Sequence, residues 1–125
     1  MNLIEETISD IKNSNHIEQD VNWVGSSDGK YAMPWNEFKQ HFKGIDYSCN
    51  YGTQEIASDL VVVFNDGTWL ERAEYDGSEW WAYKKQPSIN REHSSFSVIV
   101  GGYDSLNDLN FVDNASTSDE YSIKY

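Results

Sequence analysis

The sequence predicts an α+β fold, in which an antiparallel β-sheet of four or five strands carries two helices on one face. Two stretches of helix-spaced apolar residues, near the N-terminus and around position 38, predict the helices. The apolar run Leu60–Phe64, followed by the turn pairs Asp66-Gly67 and Asp76-Gly77, predicts a β-meander of three strands. The aromatic content would also permit a more closed β-barrel with peripheral helices, which is the alternative architecture.

Both predicted helices combine a start signal with an apolar stripe. The first covers residues 2–13, where Asn2 is the candidate N-cap and Glu5 follows three residues later, as in a capping box. The second begins at Pro34, whose missing N–H costs nothing in a first turn, and it ends at Gly44. The apolar face that we expect to pack on the sheet consists of Ile4, Ile8, Ile11, Trp35, Phe38 and Phe42.

The strand signals place the centre of the sheet in the middle of the chain. A first strand is predicted over residues 20–24, with Val21 and Trp23 on one face, and segment 25–29 then forms a turn. Leu60–Phe64 contains no polar residue, which is typical of a central strand that is covered on both faces. We therefore expect this strand at the centre of the sheet.

The turn at Asp76-Gly77 is compatible with two registers of the strands on either side of it. A two-residue loop would place Glu74 opposite Glu79, and like charges at opposed positions are unfavourable. A four-residue loop over 76–79 would instead pair Glu71 with Lys84. We therefore expect the longer loop.

The C-terminal part of the chain predicts one more strand and one helical turn. Phe96, Val98 and Val100 alternate within residues 94–100, which is typical of a strand, and Ser105 can cap a turn of helix. Residues 113–125 are mostly small and polar, so we expect a mobile tail there unless the last five residues dock as a strand. Residues 1–112 are expected to form a single domain.

Composition excludes several classes of function. The chain has 125 residues with 21 acidic and 9 basic side chains, so its formal net charge is −12. A phosphate backbone repels this charge, so we do not expect direct binding to nucleic acid. No apolar run reaches the roughly 18 residues of a membrane helix, and the acidic N-terminal segment is unlike a secretory signal. With Cys49 as the one cysteine, we expect a cytoplasmic protein without an internal disulfide.

Sequence motifs for catalysis, metals and cofactors are missing. Cys49 has no histidine near it in the sequence, and no serine stands in a nucleophile-elbow pattern. His16, His41 and His93 lack the spacing of metal ligands. Any two of the 21 acids could meet in a cleft as a general acid and base, but their number makes this signal unspecific. We therefore expect no enzyme, no metal and no cofactor.

Acids and aromatic residues are densest between positions 66 and 81, which read DGTWLERAEYDGSEWW. Tyrosine and tryptophan dominate protein interfaces, and acids beside them would select a basic partner and speed its capture. The alternative interpretation is that the tryptophans fill the core while the acids solvate the other side of the meander. The candidate partner-binding residues are Glu71, Glu74, Tyr75, Asp76, Glu79, Trp80 and Trp81.

This stretch resembles small acidic proteins of phages and prophages, which carry a similar run of the form W-L-E-R, then acidic and aromatic residues, then D-G-S-E-W-W. With the segment Pro34–Phe38 and the pair Asp59-Leu60, the resemblance extends over about residues 31–87. It implies a mobile genetic element as the setting and assigns no catalytic residue. By analogy, small acidic phage proteins of this size are often inhibitors of host defence, of the anti-CRISPR or anti-restriction type.

Three functions follow as hypotheses. The first is a phage-type inhibitor that binds a basic, nucleic-acid-handling host protein, where the acids of residues 66–81 imitate phosphates. The second is an immunity protein that covers a basic toxin nuclease by the same electrostatics, and a neighbouring toxin gene would distinguish it. The third is a small-ligand or carbohydrate-binding module that stacks its ligand on Trp69, Trp80 and Trp81.

Overall fold

The computed structural model describes residues 1–48 and 52–111, which divide into a first unit, Met1–Pro87, and a second unit that begins at Ser88. The first unit contains two helices, α1 (Leu3–Asn13) and α2 (Trp35–His41), and a 3₁₀ turn at Glu18–Asp20. Its strands are β1 (Val21–Ser26), β2 (Ala32–Met33), β3 (Leu60–Phe64), β4 (Trp69–Tyr75) and β5 (Ser78–Lys84). The strands pair antiparallel in an open sheet of order β2–β1–β3–β4–β5, which confirms the α+β class and excludes the closed barrel.

The start of each helix follows from its sequence signal. Asn2 caps α1 by accepting a hydrogen bond from the backbone N–H of Glu5 at 3.0 Å, and acids in the first turn suit the helix dipole. Pro34 occupies the N-cap position of α2. This helix ends at His41 and not at Gly44, so it is shorter than predicted.

Both helices pack on one face of the sheet, as predicted. Five of their side chains are buried in one apolar cluster, namely Leu3, Ile4, Ile11, Trp35 and Phe38. The strands contribute to the same cluster Val24, Val62, Phe64, Leu70 and Trp81. Ile8 and Phe42 are partly buried against it. We call this helix-covered side the inner face of the sheet and the opposite side the outer face.

Strand β3 lies at the centre of the sheet, between β1 and β4, which confirms the prediction from its apolar run. Val62 and Phe64 are buried on the inner face. Val61 and Val63 point to the outer face, where Val61 is buried and Val63 is half-buried. Since α1 and α2 both lie on the inner face, the outer face of β3 is shielded by strand side chains and not by these helices.

The hairpin of β4 and β5 turns through two residues, Asp76-Gly77, so the expected four-residue loop is wrong. Glu74 does lie opposite Glu79, but each carboxylate has its own partner. Glu74 accepts the backbone N–H of Gly77 at 2.9 Å, and Glu79 binds the guanidinium of Arg72 at 2.8 Å. The two loop residues have φ of 51° and 87°, as a type I′ turn requires. Turn geometry and separate partners together outweigh the repulsion of the two acids.

Strand β1 is longer than predicted and irregular. It includes Gly25, which pairs with Ala32 where the sequence predicts a turn. A Cβ at Gly25 would overlap the backbone of Tyr31, so only glycine allows this approach. A register shift between Val21 and Trp23 marks a β-bulge, so that Trp23 lies on the outer face while Val21 packs against the core. The expected common face for these two residues is therefore wrong.

In the second unit the predicted strand over residues 94–100 does not form, and this prediction is wrong. The side chain of Asn110 takes the place of a neighbouring strand. Its Oδ1 accepts the backbone N–H groups of Ser97 and Val98 at 3.0 Å each, and its Nδ2 donates to the carbonyl of Val98 at 2.9 Å. Backbone N–H and C=O groups need hydrogen-bond partners, but a side chain can supply these in place of a neighbouring strand. Alternation of apolar and polar residues alone therefore does not establish a strand.

Helix α3 (Leu106–Asn110) confirms the predicted helical turn in the second unit. Ser105 caps it by accepting the backbone N–H of Asp108, and the carboxylate of Asp108 accepts the backbone N–H of Ser105 in return. Cys49 and the predicted tail over residues 113–125 lie outside the described residues.

Candidate functional site

The two-residue alternation of the β4–β5 hairpin divides the predicted partner-binding residues between the two faces of the sheet. The outer face carries Glu71, Tyr75 and Trp80, the inner face carries Glu74, Glu79 and Trp81, and Asp76 lies in the turn. Trp80 and Trp81, which are adjacent in the sequence, therefore lie on opposite faces of the sheet. The inner and outer groups have different chemical roles.

Glu79 is buried on the inner face, with 3% of its surface exposed. Its carboxylate accepts the backbone N–H groups of Glu55 and Ile56, at 2.6 and 3.3 Å, and the guanidinium of Arg72 at 2.8 Å. Burial raises the pKa of the Glu79 carboxyl, but these three donors outweigh burial, so its pKa lies below the usual value. Glu79 therefore ties the segment before β3 to the sheet, and its charge is not exposed to a partner.

Trp81 lies beside this ion pair in the core, with 5% of its surface exposed. Its indole N–H donates to Oγ1 of Thr7 at 2.9 Å, which joins β5 to α1. The guanidinium of Arg72 lies over the indole, 4.7 Å from the ring centroid. For Trp81 the structure therefore agrees with the alternative interpretation, in which the tryptophan fills the core.

Arg72 is the centre of this buried network. Besides Glu79, its guanidinium contacts the hydroxyl of Tyr47 at 3.0 Å and the carboxylate of Glu6 at 3.5 Å. Burial raises the pKa of Glu6, and the hydrogen bond from Tyr47 and the charge of Arg72 only partly offset this rise. Arg72 is the one base between positions 66 and 81, and it is neutralised inside the protein. With Arg72 and Glu79 paired in the interior, the rest of this stretch carries four acids, namely Asp66, Glu71, Glu74 and Asp76, and no base.

The exposed tip of the hairpin keeps three of the predicted residues together. Tyr75 is 77% exposed, and the acids Glu74 and Asp76 on either side of it are also exposed. Asp76 adopts the left-handed backbone conformation that aspartate tolerates better than most residues. The tip therefore presents an aromatic ring between two carboxylates.

The outer face carries three tryptophans, of which Trp80 is nearest to the tip. Trp80 on β5 is 43% exposed, and Trp69 on β4 and Trp23 on β1 are half-buried. Glu71 lies on the same face and accepts the indole N–H of Trp69 at 2.8 Å. The outer face thus combines indole rings with a carboxylate that is held in place by one of them.

A groove of about 430 Å³ crosses the outer face between β1 and β4. Trp23 and Trp69 pair with Val63 from its two sides, so the three residues form one row across the sheet. Val61 continues the floor of the groove beside Val63. The remaining lining includes Ser27, Ser58, Asp59 and Glu71.

Two groove residues, Trp23 and Asp59, are absent from the predicted site. The regular alternation of β1 places Trp23 with Val21, and the bulge that separates them has no clear signal in the sequence. Asp59 precedes β3 and reaches the groove because the sheet pairs β3 with β1 across a long connection. The sequence predicts Trp69 as a stacking residue, and the structure places it beside the groove.

A separate cluster surrounds His16, which stacks on Phe64 with ring centroids 4.0 Å apart. Its Nδ1 lies 3.1 Å from Asp20, and its Nε2 lies 3.2 Å from the hydroxyl of Thr68, an order that resembles a catalytic triad. However, both the hydroxyl and the backbone N–H of Thr68 donate to Asp66, so neither is available as a nucleophile or an oxyanion donor. The cluster therefore joins the segment after α1 to the β3–β4 turn.

Comparisons with known protein families, with curated proteins and with solved structures found no match for this chain. The resemblance to phage proteins therefore stays a prediction. Across residues 1–48 and 52–111, no three His, Cys, Asp or Glu side chains are grouped so that they could hold a metal ion. In the same ranges, no helix combines the length and apolar character needed to cross a membrane.

The unit that carries the outer face is acidic. Residues 1–87 contain 15 acidic and 7 basic side chains, which gives a net charge of −8. Along the five strands the one base on the outer face is Lys84, at the end of β5 farthest from the tip. The outer face and the tip therefore form an aromatic surface with an acidic surround.

Proposed function

We propose that the chain is a non-enzymatic binding protein that captures a basic protein through the outer face of the sheet and the tip of the β4–β5 hairpin. The observation that carries this proposal is the exposure of Trp80 and Tyr75 among acids, in a stretch whose one base, Arg72, is buried. Aromatic side chains supply much of the energy at interfaces, and charge selects the partner. The proposed binding residues are Glu71, Glu74, Tyr75, Asp76 and Trp80.

The proposed partner is a basic, nucleic-acid-handling host protein. In this proposal the chain is a small acidic phage-type inhibitor that acts in the host cytoplasm, of the anti-CRISPR or anti-restriction kind. The net charge of −12 and the exposed acids of the hairpin support it, because carboxylates can occupy a basic groove that otherwise holds a phosphate backbone. Glu79 has no part in this imitation, since its carboxylate is paired inside the protein.

An immunity protein against a toxin nuclease would use the same surface and the same electrostatics. The two proposals differ in the protein that is inhibited. Inhibition of a nuclease toxin encoded next to this chain would support immunity, whereas inhibition of a host defence complex would support the phage-type inhibitor.

A small-ligand or carbohydrate module is a second candidate function, because Trp69 and Trp80 share the outer face. Trp81 has no part in such a module, since its ring is buried and its indole N–H is bonded to Thr7. Titration of the protein with neutral saccharides, monitored by tryptophan fluorescence, tests this candidate. A saturable change that is insensitive to salt would favour it over the basic partner.

Affinity capture with matched variants tests the proposed function. The wild-type chain is immobilised, a bacterial lysate is passed over it, and the retained proteins are quantified at low salt, at raised salt and with competing duplex DNA. Glu74→Gln with Asp76→Asn should reduce retention of nucleic-acid-handling proteins by about tenfold. Asparagine and glutamine keep the turn conformation and the hydrogen bond to Gly77, so this variant removes charge without removing structure.

The matched control is Glu5→Gln with Glu37→Gln, which removes two exposed carboxylates from the helices. If this control weakens capture as much as the hairpin variant does, net charge and not the hairpin determines binding. Capture that is unaffected by salt and by duplex DNA would contradict the proposal, because screening weakens attraction between exposed charges.

A further inference from the structure

The buried side of the sheet shows how this protein holds a guanidinium group. Arg72 lies 4.7 Å from the Trp81 ring centroid and 5.4 Å from that of Tyr47, with the carboxylates of Glu79 and Glu6 in contact at 2.8 and 3.5 Å. Aromatic faces and carboxylates thus bind the same cation together. Guanidinium suits this combination because it is planar, weakly hydrated and able to bind a carboxylate through two donors.

The outer groove repeats this set of groups. The one base in its lining is Arg72, whose side chain is fully buried and paired with Glu79. Trp23 and Trp69 lie on strands β1 and β4 with β3 between them, so their Cα atoms are roughly 10 Å apart, and Val63 forms the floor between the rings. Glu71 accepts the Trp69 indole at Oε1, which fixes the carboxylate beside the ring. Asp59 supplies a second carboxylate to the lining.

The charge around the groove favours a cation over a neutral ligand. In the described residues neither Glu71 nor Asp59 forms a salt bridge, although Lys84 pairs with Trp69 across β4 and β5. The first unit as a whole carries −8. A cationic side chain that enters the groove would therefore gain both from the indole faces and from the carboxylates.

We propose that the groove between Trp23 and Trp69 binds an arginine side chain of the basic partner, with its guanidinium against the indole rings and Glu71 and Asp59 as the carboxylate acceptors. This inference rests on the proposed function and specifies its chemistry. Lysine is the weaker ligand in the proposal, because an ammonium is strongly hydrated and cannot bind a carboxylate through a planar fork. The volume of about 430 Å³ is sufficient for one such side chain.

NMR titration of the full chain with N-acetyl-arginine amide tests the proposal, with the five tryptophan indole N–H signals as the readout. Saturable shifts in the millimolar range are expected for Trp23 and Trp69, while Trp35 and Trp81 stay unchanged. N-acetyl-citrulline amide, which has the same shape without the charge, should cause no saturable shift. Equal binding of the citrulline compound, or of a neutral disaccharide, would overturn the proposal in favour of uncharged stacking.

The variant Glu71→Gln removes the negative charge without disturbing the fold, since the glutamine side-chain oxygen can still accept the indole N–H of Trp69. It should weaken arginine binding about threefold to fivefold, while Glu37→Gln on the exposed side of α2 should leave it unchanged. A shift of the Trp80 indole signal without shifts of the Trp23 and Trp69 signals would refute arginine binding in the groove and leave the hairpin tip as the binding surface. If the Trp23 and Trp69 signals shift but capture from lysate is not salt-sensitive, the proposed function is refuted while arginine binding in the groove stands.

Discussion

Arg72 holds a positive charge inside the protein, against the carboxylates of Glu79 and Glu6 and the ring of Trp81. Replacement of Arg72 by methionine keeps most of the side-chain length but leaves Glu79 buried without its cation. We expect Arg72→Met to lower the free energy of unfolding by about 3–5 kcal/mol, as for other buried pairs that lose one partner. Urea denaturation followed by tryptophan fluorescence measures this loss.

Two controls distinguish the buried charge from lost packing. Arg72→Met combined with Glu79→Gln should recover more than about 1 kcal/mol, because no unpaired charge is then left in the core. Lys84→Met also replaces a base by methionine, but at an exposed position, and its free energy of unfolding should stay within about 0.5 kcal/mol of wild type. A double variant that is no more stable than Arg72→Met would show that the packing of the guanidinium dominates.

The lowered pKa of Glu79 predicts a pH dependence of stability. A carboxyl whose pKa is lower in the folded state stabilises the protein above its unfolded pKa, and this contribution is lost as the pH falls through the folded pKa. We therefore expect the stability gap between wild type and Glu79→Gln to be largest near neutral pH and to shrink below about pH 5. Acids with lowered pKa values elsewhere are common to both proteins and cancel in the difference. A gap that stays constant from neutral to acidic pH would contradict the ion pair.

Among the elements, the β1–β2 pairing depends on one glycine. A methyl group at Gly25 would overlap the Tyr31 backbone, whereas Gly44 has open space around its Cβ position. We expect Gly25→Ala to lower stability by about 1–3 kcal/mol, as overpacking does. Gly44→Ala, the same chemical change, should remain within about 0.5 kcal/mol of wild type. Thermal melts of the two variants provide the comparison, and equal melting temperatures would argue against close approach at Gly25.

The elements that the sequence predicts best are those in which local signals and burial agree. Asn2, with the apolar stripe that follows it, specifies α1, and the run Leu60–Phe64 specifies the central strand. The wrong predictions, the strand over residues 94–100 and the four-residue loop over 76–79, share a physical cause. Each was decided by a hydrogen-bond partner that the local sequence does not show. Asn110 satisfies the backbone at residues 97–98, and separate donors to Glu74 and Glu79 permit the tight turn.

At the scale of the whole molecule, the first unit contains every strand of the sheet and both helices that pack on it. A chain that ends at Pro87 should therefore fold on its own, with cooperative thermal unfolding and the far-UV circular dichroism of an α+β protein. The full-length chain provides the reference melt. A broad, non-cooperative transition for the shorter chain would show that the second unit is required for folding.

The candidate site could be predicted from the sequence only in part, because its residues are distributed by the fold. The acid-rich stretch 66–81 does lead to Trp80, Tyr75 and Asp76, which are exposed. Whether a neighbouring residue such as Trp81 is exposed depends on which face the helices cover. Trp23 joins the outer face only through a bulge and through the pairing of β1 with β3, so no local pattern identifies it.

The adjacent residues Trp80 and Trp81 test the central claim most directly, since the account assigns binding to the outer face and stability to the inner face. The measurement is lysate capture by Trp80→Ala, with thermal melts of Trp80→Ala and Trp81→Ala beside wild type. Trp80→Ala should unfold within about 1 kcal/mol of wild type and lose about tenfold in retention of the salt-sensitive partners. Trp81→Ala should lose about 3–5 kcal/mol of stability. Full retention by a stably folded Trp80→Ala would contradict the claim that the outer face binds the partner.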